Sequence, residues 1–199
     1  MRQMLLAQAL LAGVCLLLIV GSMAVGAAVE ATPAVLEHHP QCALPCWEGI
    51  NPGRTRIDPA NQIMLNMGYN AESTMVMRSR LTYPPPDAAS CAVQIEHREA
   101  IVTETRLYQC PGLRLGDVLL ALGRPDGVQP GNMTFYFQQG RVWAKLITNG
   151  CAPRLSPFLP VQEIRMRAAS EDDMMVSWQG FMPPRDYVRQ FPQTLLLMF

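Results

Sequence analysis

The sequence lacks an excess of charge of either sign, and it lacks any run of basic residues. Its 199 residues include 16 basic and 16 acidic side chains, so the formal net charge is zero. Nucleic-acid binding depends on lysine and arginine side chains that neutralise several phosphates at once. We therefore expect no nucleic-acid partner.

The sequence also lacks the short motifs of common catalytic and cofactor sites. It contains no Gly-x-Ser-x-Gly nucleophile motif and no glycine-rich phosphate loop. The three histidines, His38, His39 and His97, do not have the His-x-x-x-His spacing of a helical metal site. We therefore predict no catalytic residue, no cofactor and no metal.

The first thirty residues form a long hydrophobic segment. Residues 4–29 contain no charged side chain, and about 20 apolar residues are enough to span a bilayer. Arg2 precedes the segment and the next basic residue is Arg54, so the positive-inside bias places the following region outside the cytoplasm. The small residues at 24–28 favour a signal-peptidase site, whereas the length of the run favours a retained anchor.

Residues 1–31 are therefore predicted to be either a signal peptide or a transmembrane anchor. If the segment is not cleaved, the membrane is one partner of the protein. Residues 32–41 are interpreted as a spacer.

Two helix-and-strand patterns follow one another after the spacer. Apolar residues at helical spacing, with a Pro-Gly pair before them and a glycine after them, predict helices at residues 56–67 and 115–122. Alternating apolar and polar residues predict strands at 74–82, 91–97, 101–108, 133–138, 141–148 and 161–168. This order predicts an α+β fold, in which the N-terminal hydrophobic helix is followed by two helix-plus-antiparallel-sheet units at residues 42–110 and 111–199.

Short stretches of both units resemble a known superfamily. Residues 113–125, Leu-Arg-Leu-Gly-Asp-Val-Leu-Leu-Ala-Leu-Gly-Arg-Pro, resemble the helix and Leu-Gly-x-Pro signature of BamE/SmpA proteins and β-lactamase-inhibitor proteins. Pro-Gly-Arg-Thr at residues 52–55 is similar to the first-helix entry of that superfamily. The resemblance implies a tandem repeat fold, although no lipobox and no inhibitory loop can be matched. The string C-x-L-P-C-W-x-G-I-x-P-G-x-T at residues 42–55 also resembles uncharacterised exported bacterial proteins.

Five cysteines lie after the hydrophobic segment, and an extracytoplasmic location favours disulfides between them. Cys91 and Cys110 bracket the open end of a predicted hairpin, which favours a bridge between them. Cys42 and Cys46 form the easiest second bridge and leave Cys151 free, but a bridge from Cys151 to either of them is an open alternative. A redox role for the Cys42-x-x-x-Cys46 pair has little support, because no basic residue lies between 41 and 54 and the predicted helix begins later.

Aromatic and apolar side chains offer a candidate partner surface. They are Trp47, Trp178, Phe181, Leu197 and Phe199. The competing interpretation is that they pack in the core.

The sequence thus predicts a non-catalytic extracytoplasmic or membrane-tethered module that binds another envelope protein or a peptide, or that assists envelope assembly. The alternative is a thiol-active or hydrolytic enzyme in the same compartment.

Overall fold

The computed structural model describes residues 13–15, 36, 42, 44–70, 75–77, 79–147, 155–169 and 175–189. The chain divides into two compact units, Met1–Thr32 and Pro33–Phe199. In the first unit only Gly13, Val14 and Cys15 are described, and they are helical. The rest of the predicted hydrophobic helix lies outside the described residues. Within the described ranges, no helix is both long enough and apolar enough to span a bilayer.

The second unit contains three short helices and nine strands among its described residues. In chain order they are α1 (Ile57–Asn66), β1 (Met75–Met77), β2 (Arg80–Tyr83), β3 (Ala92–Arg98), β4 (Ile101–Tyr108), α2 (Leu115–Leu122), β5 (Gly127–Gln129), β6 (Thr134–Phe137), β7 (Val142–Leu146), β8 (Val161–Arg167), β9 (Val176–Ser177) and α3 (Pro184–Arg189).

The predicted α+β fold class is wrong, because the protein is mainly β. All nine strands belong to one antiparallel sheet, in the order β1-β2-β3-β4-β8-β7-β6-β5-β9. The physical reason is the pairing of β4 with β8, which joins the strands of the two predicted units edge to edge. A strand edge with unpaired backbone groups is stabilised by such pairing, so the two predicted sheets are one.

One face of this sheet forms the hydrophobic core. On β4 and β8 the core-facing side chains include Leu107, Ile164 and Met166, which are almost fully buried. Ala60 of α1 and Val118 of α2 are fully buried in the same core. The side chains that alternate with them on the two strands point to the opposite face of the sheet.

The helices α1 and α2 enter the fold in the same way. At the start of each helix, the backbone makes two hydrogen bonds with the start of a later strand, which is β4 for α1 and β8 for α2. These bonds run from Ile57 N–H to Ala100 C=O, from Val102 N–H to Thr55 C=O, from Leu115 N–H to Leu159 C=O, and from Val161 N–H to Leu113 C=O, at 2.8–3.0 Å. The two helix starts therefore share the same backbone pairing, although the strands that follow them belong to a single sheet.

Gly53 shows why the first helix entry requires glycine. Its φ angle is +85°, and its N–H donates to the Val102 carbonyl over 2.7 Å. A Cβ atom at this position would lie 2.9 Å from the Ala168 Cβ atom. Both the backbone conformation and the space therefore favour a residue without a side chain.

Candidate functional site

The predicted disulfides are present where the structure describes their cysteines. Cys91 and Cys110 are bridged with Cα atoms 4.2 Å apart, and Cys42 and Cys46 with Cα atoms 5.3 Å apart. Cys151 lies outside the described residues. Disulfides persist in oxidising compartments, so the two bridges agree with an extracytoplasmic location. In the described part of the chain, no group of three metal-ligating side chains comes together.

The aromatic residues predicted as a partner surface have different positions. Trp47 and Trp178 are buried, with 6% and 8% exposure, whereas Phe181 is 46% exposed. The Trp178 ring contacts the rings of Phe135, Phe181 and Tyr187, with centroids 5.4–6.0 Å apart. Leu197 and Phe199 lie outside the described residues. Trp47 and Trp178 therefore contribute to packing, and of the three members that the structure describes, only Phe181 offers a large exposed surface.

A charged cluster occupies the other face of the sheet, where β4 and β8 meet. Residues 102–106 and 161–165 both read Val-x-Glu-x-Arg, and this repetition is the sequence signal that could have revealed the cluster. In the register of the two antiparallel strands, Arg106 lies opposite Arg165, and Glu104 lies opposite Arg167. We define the charge cluster as Glu104, Arg106, Glu163, Arg165 and Arg167.

Three of the four ion pairs within the charge cluster cross between the two strands. Arg106 forms an ion pair with Glu163. Arg165 reaches both carboxylates, at 3.5 Å from Glu104 and 3.2 Å from Glu163. Arg167 donates through Nε to Glu104. Each carboxylate therefore holds two arginines, and Arg165 links the two halves of the cluster.

The carboxylates and the guanidinium groups differ in their access to solvent. Only 8% of the Glu104 side chain and 2% of the Glu163 side chain are exposed. The side chains of Arg106, Arg165 and Arg167 retain 22–28% exposure. The carboxylates are therefore the buried base of the cluster, and the arginine side chains form a partly exposed layer over it.

Trp143 on β7 packs against the arginines of this layer. The Arg165 guanidinium carbon lies 4.3 Å from the centroid of the Trp143 ring, and that of Arg167 lies 5.8 Å from it. Such cation–π contacts orient guanidinium groups. Trp143 is 7% exposed, and its buried Nε1–H has no acceptor among the described residues. The buried Nε–H groups of Arg106 and Arg165 also lack one within the same ranges.

The charge cluster carries a net positive charge, because it contains three arginines and two glutamates. Lys145 on β7 lies opposite Glu163 in the strand register and adds a further cation to this face. Guanidinium groups held in fixed positions recognise carboxylates through paired, charge-assisted hydrogen bonds. The arrangement is thus suited to binding an anionic group.

Comparisons of the chain with protein-family models, with curated proteins and with solved structures find no match.

Proposed function

We propose that this protein is a non-catalytic extracytoplasmic binding module, and that it recognises an acidic segment of an envelope protein or peptide through the charge cluster. The observation that carries the proposal is the layer of three partly exposed arginines held over two buried carboxylates. The net positive charge of this layer favours a partner that presents carboxylates.

A contribution to fold stability does not by itself explain why buried ion pairs occupy these positions. Moving charges out of water is costly, and replacing buried ion pairs by apolar side chains of similar volume is often neutral or stabilising. A role in recognition gives the charges a use that apolar side chains could not supply. The resemblance of residues 113–125 to a superfamily with an inhibitor protein and envelope lipoproteins is compatible with this class of function.

The cluster is also preorganised for binding. Arg165 is held by two carboxylates and by the Trp143 ring. Immobilising a flexible side chain at an interface costs about 0.5–1.5 kcal/mol. Because this arginine is already fixed in the free protein, a partner carboxylate would lose less of its interaction energy to ordering.

The test is binding of a capped oligoglutamate peptide to the full chain at two salt concentrations, with the corresponding glutamine peptide as the uncharged control. We expect the glutamate peptide to bind more tightly and to weaken as salt rises. Arg167→Gln should weaken binding about tenfold or more, as expected when one charge-assisted contact is lost. Arg114→Gln, at the exposed N-cap residue just before α2, is the matched control and should leave the affinity unchanged.

Two results would contradict the proposal. One is equal binding of the glutamate and glutamine peptides. The other is equal loss of affinity in Arg167→Gln and Arg114→Gln, because that would indicate a non-specific charge effect. Circular dichroism of each variant would establish that the fold is retained.

A further inference from the structure

The strand β1 forms one edge of the nine-stranded sheet. Among the described residues it pairs only with β2, through the register Met75–Thr82, Val76–Leu81 and Met77–Arg80. Its three residues are 60%, 74% and 60% exposed. Successive side chains of a strand point to opposite faces, so apolar surface is exposed on both faces of this edge.

Such an edge differs from the edges that natural proteins usually present. Exposed edge strands are commonly protected by charged side chains, by proline or by a covering loop, because their unpaired N–H and C=O groups can pair with another chain. β1 has no charged residue in its range. At the opposite edge, β9 is two residues long and Val176 is 9% exposed. Of the two edges of the sheet formed by the described strands, only β1 therefore has an exposed apolar range.

The chemistry of the β1 edge selects an extended peptide as its occupant. Backbone donors and acceptors lie in the plane of the sheet, and apolar side chains project above and below it. An added strand satisfies both features at once, whereas a lipid surface or the side of a helix cannot pair with the backbone. A stable dimer interface involves about 20–30 residues on each side, far more than three, so a second copy of the chain is a poor fit.

We propose that β1 binds an extended, uncharged apolar segment of another protein by strand addition. The two methionines suit this role, because flexible thioether side chains adapt to partners of different shape. The site is separate from the charge cluster, since β2 and β3 lie between β1 and β4 in the sheet. It therefore does not depend on the proposed recognition of acidic segments.

The test uses the full chain and a short capped peptide of alternating valine and threonine. A matched peptide with N-methylated amides has the same side chains but cannot complete the strand hydrogen bonds. We expect the unmethylated peptide to bind at least about tenfold more tightly, the loss that follows removal of one to two backbone hydrogen bonds. Hydrogen exchange of the amides at residues 75–77 should slow when this peptide is added.

Two variants distinguish peptide binding at the β1 edge from non-specific binding to other exposed apolar side chains. Val76→Lys places a charge on the edge and should weaken peptide binding about tenfold through lost apolar burial. Leu120→Lys changes a side chain on α2 that is 80% exposed and should leave the affinity unchanged. Hydrogen exchange of the unmodified protein needs no variant and gives an independent result.

Three results would overturn the proposal. The first is equal affinity for the methylated and unmethylated peptides. The second is unchanged hydrogen exchange at residues 75–77 when the peptide is present. The third is a dimer in sedimentation equilibrium that Val76→Lys dissociates, because the occupant would then be a second copy of the chain.

Discussion

Arg106 on β4 and Arg165 on β8 lie directly opposite each other between two neighbouring strands of the sheet. Each follows a glutamate by two residues in a repeated Val-x-Glu-x-Arg sequence. Because equivalent residues of two antiparallel strands face each other here, an approximate two-fold axis passes between the two arginines. Like charges opposite each other destabilise a sheet, and the crossed pairing with Glu163 and Glu104 offsets that repulsion.

The symmetry predicts that the two glutamates of the charge cluster have similar effects on stability. Glu104→Gln and Glu163→Gln should each lower the free energy of unfolding by about 1.5–3 kcal/mol, the value typical of a hydrogen bond to a charged group. Urea denaturation measures both. Glu96→Gln is the matched control, because Glu96 pairs with Arg80 at a more exposed position, with 35% and 44% of the side chains accessible. We expect its effect to be below about 1 kcal/mol.

A double-mutant cycle of Glu163→Gln with Arg106→Met isolates the ion pair itself. Directly contacting residues usually show coupling energies of about 0.5–3 kcal/mol. A coupling energy indistinguishable from zero would mean that the crossed pairing does not stabilise the sheet. Equal losses for Glu163→Gln and Glu96→Gln would lead to the same conclusion.

The two disulfides should differ in their contribution to stability. Cys91 and Cys110 are separated by 19 positions and close the hairpin of β3 and β4, whereas Cys42 and Cys46 are separated by four. In the chain-entropy model, loops of these sizes give about 3 and about 2 kcal/mol. The Cys91→Ala/Cys110→Ala variant should therefore be about 1 kcal/mol less stable than Cys42→Ala/Cys46→Ala. Thermal or urea unfolding of the two variants measures the difference, and the reverse order would contradict it.

Trp178 and Phe181 should differ in how much they contribute to the free energy of unfolding. Trp178→Ala should lower the free energy of unfolding by about 3–5 kcal/mol, because it removes a buried side chain that contacts three aromatic rings. Phe181→Ala should cost less than about half as much, since 46% of Phe181 is exposed. Guanidinium denaturation followed by circular dichroism compares the two variants. Equal losses would indicate that Phe181 is as much a core residue as Trp178.

The strands with strong alternation were predictable from the sequence, but their assembly was not. The predicted strand 101–108 and helix 115–122 are found as β4 and α2 with the same limits. The pairing of β4 with β8 joins residues far apart in the chain, and no local pattern specifies such a contact. The predicted strand 74–82 is divided into β1 and β2, because these two segments pair with each other.

The candidate site was also only partly visible in the sequence. The alternation on β8 correctly places Glu163 and Arg165 away from the core face. The Glu163 side chain is nevertheless buried, with only 2% of it exposed. Arg106 of the neighbouring strand provides part of that cover, and strand partners cannot be identified from one segment alone. Trp178 illustrates a second limit, because large aromatic residues suit both a core and an interface.

The buried tyrosines predict how stability depends on alkaline pH. Burial raises the pKa of Tyr83 to about 12. Burial also raises the pKa of Tyr69 to about 12, with smaller contributions from the negative charges of Asp87 and Glu48. The ordinary value is 10.0. The Tyr69 hydroxyl donates to the Cys91 carbonyl and the Tyr83 hydroxyl to Asn61 Oδ1, both over 2.9 Å, so the protonated form is also the hydrogen-bonded form.

The raised pKa values determine whether the free energy of unfolding rises or falls at alkaline pH. A phenol whose pKa is higher in the folded protein than in the unfolded chain stabilises the fold fully below pH 10, and this stabilisation is lost as the pH rises toward about 12. Tyr83→Phe should cost about 1 kcal/mol at neutral pH, from the lost hydrogen bond, and should make the free energy of unfolding fall less steeply between pH 10 and 12. Urea denaturation at several pH values, with an absorbance titration of the tyrosines, measures both effects. If all five tyrosines ionised together near pH 10 in the folded protein, burial would not be controlling their protonation and the predicted difference between the two proteins would disappear.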